Sequence, residues 1–525
     1  MRNGLRPLLA AAGLAVATTS VAYTFGHRPA PADGEAAPAA RQAVSASSAR
    51  ACQVNAAPAK RQLRGVWIAT VHNLDWPSKP GLTQARQRSE YVKILDTAVR
   101  RNLNAVFVQV RPASDALYAS PHEPWSQWLT GTPGGNPGWD PLPFLVDEAH
   151  KRGLEFHAWF NPYRAAATAD LSKLPASHPA RQHPSWVVKY QGKAYYNPGL
   201  PEVRRHTVKI VDDVVRRYDV DGVHFDDYFY PYPVAGVPFS DKAAFTKYGK
   251  GKSLAAWRRD NVNKLIAEVG QAVHTAKPYV KFGVSPFGIW RNKSDDPAGS
   301  DTKGLSAYDA IYSDARTWIR ARSVDYIMPQ LYWPRGFAVA DYAKLLPWWA
   351  DQVRGTGVHL YIGQALYRVG TKDTPAWTKP GELPSHLTLN RKRPEVMGDV
   401  YFSAAQVLKN PLGVLDRIAE DHYAKPALLP LMAARGGKAP GAPTGLRLAA
   451  GTLSWNPVPG ARSYAVYRVA DAVSAPCAAA DPRNLVALLP SPRGSAMSAK
   501  QPGTYVVTAV DRLGNEGLPS VATLT

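Results

Sequence analysis

One short segment concentrates acidic and aromatic residues in a pattern that suits sugar chemistry. Residues 221–233 read DGVHFDDYFYPYP, a buried strand that stops abruptly in carboxylates and rings. Strand side chains alternate between two faces, so Asp226 points away from Val223 and Phe225 if those two pack under a helix. The face of Asp226 then also carries His224 and Tyr228. A carboxylate stabilises an oxocarbenium-like transition state and flat rings cover the apolar faces of sugars, so the segment suits glycosidic bond cleavage. The alternative is that Asp226 and Asp227 cap the next helix or pair with arginines.

The surrounding sequence predicts the scaffold that holds this segment. Short β-type runs alternate with helical patterns at residues 63–70, 104–110, 154–160, 222–227, 280–285, 324–331, 359–363 and 399–402. Eight strand–helix pairs in one stretch predict a (β/α)8 TIM barrel, an α/β fold, over residues 61–432. A doubly wound open sheet is the alternative, but no Gly-rich dinucleotide or phosphate loop follows the first strand.

In such barrels the active site gathers at the carboxyl ends of the strands. Alternation places Gln109 and Arg111 on the inner face of the second strand if its valines face outward. The same argument turns His157, Trp159 and Asn161 inward on the third strand and Gln330 and Tyr332 on the sixth. Amides, an arginine and aromatics around one strand-borne acid make a plausible sugar subsite.

Six motifs in the same order resemble the glycosyl-hydrolase-like family 10 proteins of bacterial envelopes, which are distinct from the family 10 xylanases. They lie at residues 64–68, 104–112, 155–164, 221–233, 285–292 and 328–333. The resemblance covers roughly residues 61–430. It implies a TIM barrel that acts on glycan, with members that cleave peptidoglycan strands stripped of their stem peptides. Carried over to this chain, it implies Asp226 as the strand-four acid with Asp227 beside it. The expected substrate-binding residues are Trp67, Gln109, Arg111, Trp159, Asn161, Arg164, His224, Tyr228, Trp290, Gln330, Tyr332 and Trp333.

The second carboxylate of a glycosidase pair stays open at this stage. The strand-four pattern of family 18 chitinases is absent, because Tyr228 stands at its final Glu and His224 at its middle Asp. Candidates for the partner of Asp226 are Asp227, Asp75, Asp301 and Asp309. Two other functions remain possible: a noncatalytic glycan-binding barrel, and a metal-dependent hydrolase using His72, His157 and His224. The leading prediction needs neither metal nor cofactor.

Charge and the amino terminus predict export. Arg2 and Arg6 precede an apolar stretch, and a small-residue cleavage site follows, so residues 1–22 are expected to be a signal peptide. Residues 23–60 are rich in Ala, Pro and Ser and form a flexible leader. The formal charge of +22 becomes +20 once the two arginines are removed. A secreted or cell-wall-associated protein of this charge would be drawn to cell-wall polyanions. Scattered Lys and Arg without a nucleic-acid module argue against nucleic acid, and no stable membrane span is expected.

The carboxyl-terminal part has a different pattern. Residues 433–441 form a Gly- and Ala-rich linker, and residues 442–525 show short alternating runs typical of an all-β domain. This part resembles a fibronectin type III domain, with Trp455 and Tyr505 in its core. Cys52 and Cys477 are the two cysteines of the chain. In an oxidising compartment they are expected to form a disulfide, with two free buried thiols as the alternative.

Overall fold

The computed structural model describes Cys52, residues 59–491 and residues 495–524. The predicted signal peptide lies outside the described residues. Eight parallel strands form a closed barrel. They are β1 (Leu63–Ile68), β2 (Ala105–Arg111), β3 (Glu155–Phe160), β4 (Gly222–Phe225), β5 (Lys281–Val284), β6 (Tyr326–Ile327), β7 (His359–Gln364) and β8 (Val396–Tyr401). The predicted TIM barrel is confirmed, and the open-sheet alternative is wrong, because β1 pairs with both β2 and β8.

Helices surround the barrel. They span Gln84–Arg100, Gln127–Thr130, Pro141–Lys151, Pro179–Gln182, Pro201–Arg217, Lys242–Tyr248, Leu254–Ala276, Ala307–Ala310, Ala315–Arg320, Tyr342–Val353, Glu382–Asn390, Ala404–Lys409 and Val414–Asp421. The helix before β4 shows why they form: Pro201 stands in its first turn, where a missing N–H costs nothing. Its buried face is Val203, Ile210, Val211 and Val214. In the part of the chain that the structure describes, no helix is long and apolar enough to cross a membrane.

Two apolar clusters hold the barrel together. The larger one lies between strands and helices and contains Val223 and Phe225 of β4. The smaller one fills the barrel interior with aromatic rings, among them Trp67, Trp159 and Tyr326. Because Val223 and Phe225 of β4 face outward, His224 between them faces the barrel interior.

Polar side chains cross the barrel interior in a hydrogen-bonded chain. The indole N–H of Trp67 donates to Nε2 of His224 at 3.1 Å, and Nδ1 of His224 lies 3.2 Å from the Tyr326 hydroxyl. That hydroxyl also contacts Nδ1 of His157 at 3.1 Å, and His157 reaches Glu155. Burial, with the charge of His157 as a second cause, holds the pKa of His224 well below its usual range. A neutral His224 can accept from Trp67, which fixes the Trp67 ring where the carboxyl ends of the strands meet.

An inserted antiparallel sheet follows β3. Its strands are Arg164–Ala166, Val187–Tyr190 and Lys193–Tyr196. Because the insertion begins directly at the end of β3, it stands beside the carboxyl-terminal mouth of the barrel.

Two further antiparallel sheets follow the barrel. One contains β9 (Arg447–Ala449), β10 (Thr452–Ser454) and β13 (Ala496–Ser498). The other contains β11 (Ser463–Val469), β12 (Leu485–Pro490), β14 (Gly503–Val510) and β15 (Ser520–Leu524). The all-β prediction is confirmed, whereas the fibronectin type III assignment stays a prediction. Trp455 and Tyr505 are both buried in the core shared by these sheets.

The predicted disulfide is confirmed: Cys52 is bonded to Cys477, and the described chain has no free cysteine. The carboxyl-terminal sheets also contact the amino-terminal base of the barrel. Arg512 lies 2.6 Å from Asp219 and 3.1 Å from Asp221, which immediately precedes β4. Lys60, just before β1, pairs with Glu516 at 2.7 Å.

Candidate active site

Asp226 follows β4 at the mouth of the barrel and is 5% exposed. Three donors hold its carboxylate. The indole N–H of Trp159 donates to Oδ2 at 3.1 Å, and the side-chain amide of Asn161 donates to the same oxygen. The backbone N–H of Tyr228 donates to Oδ1 at 3.1 Å. Both side-chain donors come from β3 and its end, so the neighbouring strand fixes the orientation of the carboxylate.

Asp227 is equally buried and has its own partners. The Tyr232 hydroxyl donates to Oδ2, and the Gln330 amide donates to Oδ1 at 2.9 Å. Burial raises the pKa of Asp227. For Asp226, burial and then the charge of Asp227 raise the pKa to about 7. Two adjacent buried carboxylates resist losing both protons, so the pair keeps one proton near neutral pH.

Arg164 is a cation whose charge acts on both carboxyls of this pair. Its guanidinium lies over the Tyr228 ring, 3.7 Å from the ring centre. The charge of Arg164 lowers the pKa of Asp226 but does not outweigh burial and the charge of Asp227. The site therefore favours a shared proton over a fixed ion pair.

The carboxylates line a cleft of about 520 Å³. Nine aromatic rings form much of its wall: Trp67, Trp159, Tyr228, Tyr232, Phe287, Tyr332, Trp333, Tyr367 and Phe402. Of the described residues that line it, the acids are Asp226 and Asp227. A cleft of this volume with ring faces for sugar stacking and two carboxylates has the groups needed for acid-assisted cleavage of a glycosidic bond.

Sequence comparison agrees with this geometry. The family model for glycosyl hydrolase-like 10 matches residues 62–379. "Glycosyl hydrolase YngK" of Bacillus subtilis is 51% identical over 380 residues, which are 72% of this chain and 74% of that protein. "Glycosyl hydrolase DigH" of Escherichia coli K12 is 45% identical over 363 residues, 65% of this chain and 82% of that protein.

The chain belongs to the glycosyl hydrolase-like 10 family. The protein is a glycoside hydrolase. Among solved structures, the glycoside hydrolase domain of PgaB (BpsB) from Bordetella bronchiseptica superposes with a TM-score of 0.46 at 13% identity, over 68% of this chain and 98% of that domain.

Most of the substrate-binding residues expected from the sequence lie together in this glycosyl hydrolase-like 10 barrel. Those that line the cleft are Trp67, Gln109, Trp159, Arg164, Tyr228, Gln330, Tyr332 and Trp333. Asn161 and His224 lie beneath the cleft surface and are fully buried. Asn161 accepts a 2.6 Å hydrogen bond from Gln109 and donates to Asp226, so it positions the carboxylate.

Arg111 does not reach the cleft, and its predicted inward orientation is wrong. The register between β2 and β3 shifts between Gln109 and Arg111, which interrupts the alternation of side chains. Arg111 therefore sits opposite Phe160 and turns outward. There it is fully buried in an ion pair with Glu123, whose Oε1 lies 2.6 Å from Nη2.

Trp290 also lies away from the cleft. Its indole N–H donates to Asp314 at 3.2 Å, and its ring stacks on Trp348 with centroids 6.0 Å apart. The position follows a strand end, but the long loop after β5 carries Trp290 away from the mouth and toward the outer helices. Trp290 therefore contributes to packing against the outer helices and does not line the cleft.

Three candidates for the second carboxylate have other contacts. Asp75 accepts the backbone N–H groups of Ala69 at 2.7 Å and Ala405 at 2.8 Å, and thereby joins the loops after β1 and β8. Asp309 pairs with Arg291 at 2.8 Å, and Asp301 is exposed beside Lys344. Of these four candidates, Asp227 is the one that lines the cleft beside Asp226.

The three histidines of the metal hypothesis do not converge. His157 and His224 share the Tyr326 hydroxyl inside the barrel. His72 lies on the loop after β1, where its ring packs edge-on against Trp128 with centroids 4.7 Å apart. Within the described chain no group of three His, Cys, Asp or Glu side chains could hold a metal ion.

Four aromatic residues of the cleft were not expected from the sequence: Tyr232, Phe287, Tyr367 and Phe402. Tyr367 and Phe402 follow β7 and β8 within a few residues. These residues could have been predicted from aromatic residues that follow the strands, because the carboxyl ends of all eight strands converge on one mouth.

Proposed function

We propose that the protein is an exported glycoside hydrolase that cleaves the glycan strands of bacterial peptidoglycan, with Asp226 as its key carboxylate and Asp227 as the partner. The observation that carries this proposal is the buried Asp226–Asp227 pair, exposed only to a cleft walled by aromatic rings. Asp399 is also buried without a cationic partner, but it accepts from the amides of Gln364 and Asn390 and does not line the cleft, whereas Glu123 is paired with Arg111. The pair at the mouth lacks such neutralisation and is available for proton transfer.

The chemistry follows from the single shared proton. The protonated carboxyl of the pair gives its proton to the glycosidic oxygen as the bond to the anomeric carbon breaks. The other carboxylate keeps its negative charge and stabilises the positive charge that develops on the sugar ring. Water then completes hydrolysis and returns a proton to the pair. Trp159, Asn161 and Tyr228 hold Asp226 throughout by their hydrogen bonds.

Three observations support a wall polysaccharide as the substrate. The relatives named above are called glycosyl hydrolases. The formal charge, +20 without the predicted signal peptide, favours attraction to acidic polymers such as the cell wall. The Cys52–Cys477 disulfide is typical of proteins that mature in an oxidising compartment.

The test is mass spectrometry of products from purified cell-wall glycan, prepared with and without stem peptides. Wild type is compared with Asp226→Asn, which removes charge and keeps volume. New reducing ends from wild type alone establish the hydrolase and identify the bond. If neither protein releases fragments while both retain glycan, the barrel binds without cleaving and the proposal is overturned.

A further inference from the structure

A second pocket opens beside the cleft, and we call it the side pocket. Its volume is about 450 Å³, within the range of small-molecule sites. It is lined by the loop after β2 and by the inserted sheet that follows β3. The side pocket and the cleft share Val71, His72, Arg164 and Lys193 as lining residues. A chain-like ligand can therefore run from the carboxylates into the side pocket without leaving the protein surface.

The side pocket has an excess of positive charge. Arg164, Lys173 and Lys193 line it, and within the described chain none of these three makes an ion pair with an acid. The facing acid is Asp115, whose carboxylate accepts the backbone N–H of Ala113 at 2.9 Å. Three cations against one acid leave a net positive site. Cations that no protein acid neutralises, grouped around a concave site, favour an anionic ligand.

The walls of the side pocket suit a sugar. Trp125 and Trp128 both line it and are only partly buried. The His72 ring packs edge-on against Trp128, which steadies the indole at the boundary between side pocket and cleft. The aromatic rings can stack on a sugar ring, and the cations beside them can bind a carboxylate that the sugar carries.

We propose that the side pocket binds a carboxylate-bearing sugar of the same strand that is cleaved at Asp226, and so selects for acidic glycans. This inference rests on the proposed function. In peptidoglycan, the muramic unit has a lactyl carboxylate that is free only after the stem peptide is removed. A strand with its peptides presents an uncharged amide and a bulky chain there instead. A free lactyl carboxylate and the carboxylate of a uronic-acid sugar therefore offer the side pocket the same anionic group.

The experiment measures binding by calorimetry with Asp226→Asn, which suppresses turnover. Four oligosaccharides of matched length are compared: stripped peptidoglycan strands, the same strands after chemical reduction of their carboxylates to alcohols, a uronate oligomer and a neutral chitin oligomer. We expect the stripped strands to bind about tenfold tighter than their reduced form, because each charge-assisted contact at a partly exposed site is worth a few-fold in affinity.

The cations supply matched variants. Lys193→Met and Lys173→Met, each in the same background, should each weaken binding of the stripped strands roughly three- to fivefold and leave binding of the reduced strands unchanged. Lys189→Met is the control. It lies in the same inserted sheet and is exposed, but lines neither pocket, so it should change nothing. Added salt should reduce the preference for the charged strands.

The outcomes separate this inference from the proposed function. Equal affinity for native and carboxyl-reduced strands, with no preference for uronate, overturns the side-pocket assignment even if the strands are cleaved. A preference for uronate alone supports the carboxylate site and contradicts the muramic source. If wild type cleaves none of the glycans but the lysine-dependent preference is present, the proposed hydrolase reaction fails and the side-pocket assignment stands.

Discussion

The buried carboxylates at the two ends of β4 have pKa values shifted in opposite directions. Asp221 at the base and Asp226 at the mouth are five positions apart and are 4% and 5% exposed. Burial alone would raise the pKa of Asp221, but Arg462, His150 and Arg512 lower it well below its usual range. At the mouth, burial and then the charge of Asp227 raise the pKa of Asp226 to about 7. Burial is common to both, so the sign of the neighbouring charges decides the direction in which the pKa of each acid is shifted.

The other acids of the base follow the same rule. Glu155 of β3 forms an ion pair with Lys281 of β5 inside the barrel. Asp325 lies 2.8 Å from His274 and 3.7 Å from Arg435. The base therefore holds neutralised acids that join strands, helices and the carboxyl-terminal sheets. This division agrees with barrel enzymes in general, in which the base serves stability and the mouth serves chemistry.

The largest effect that separates the two ends is expected from Asp226→Asn. Loss of a carboxylate that transfers protons should lower the rate of glycan cleavage roughly 10²–10⁴-fold. The thermal midpoint should stay the same or rise, because a buried charge without a neutralising partner is removed. The measurements are reducing-end release at pH 7 and thermal unfolding. Asp301→Asn, at an exposed acid beside Lys344, is the control and should retain full activity. Full activity of Asp226→Asn would refute the assignment of the mouth as the reactive end.

The matched change at the base, Asp221→Asn, should have the opposite result. It leaves the cations of Arg462 and Arg512 without their carboxylate, and breaking a buried pair from one side costs about 3 kcal/mol of unfolding free energy. Activity per folded molecule should persist, since five residues of strand separate the two acids by roughly 16 Å. Chemical denaturation together with a specific-activity assay checks this. An unchanged unfolding free energy would show that the base network is not a structural one.

The sequence was sufficient to predict the barrel and the position of Asp226 at its mouth, because both follow from local patterns. Apolar periodicity locates strands, and alternation from Val223 and Phe225 sets the direction of Asp226. Alternation failed at Arg111, where a bulge between β2 and β3 reverses the face, and no residue pattern marks that bulge. It also could not show which of Asp227, Asp75, Asp301 and Asp309 lines the cleft. That choice depends on which loops meet at the mouth, a property of the closed barrel.

The pH dependence of stability gives a medium-sized test of the same contrast. The folded pKa of Asp226 is raised from 3.8 to about 7, so its folded form binds more protons than the unfolded chain across that window. Stability should therefore fall as pH rises from about 4 to about 7, on the order of 1–4 kcal/mol, and Asp226→Asn should reduce this slope, with Asp227 accounting for the remainder. Asp221 has a lowered pKa, so its contribution is present above about pH 4 and is lost at lower pH. Denaturant titrations of wild type and both variants at several pH values measure this. A common slope for all three proteins between pH 5 and 8 would contradict the prediction.

The smallest expected effect concerns Arg164, a cation of the mouth whose charge acts on Asp226. Its charge lowers the pKa of Asp226, so Arg164→Met should raise that pKa further. Because the pair must carry a proton to cleave, the alkaline limb of the pH–rate profile should move upward by about 0.5–1 unit. Arg164→Lys keeps the charge and should keep the limb in place, even if loss of the guanidinium over Tyr228 weakens substrate binding. A role of Arg164 in packing alone would change the two variants' rates without moving either limb. A shift in Arg164→Met that Arg164→Lys reverses would show that the mouth differs from the base in the amount of positive charge rather than in burial.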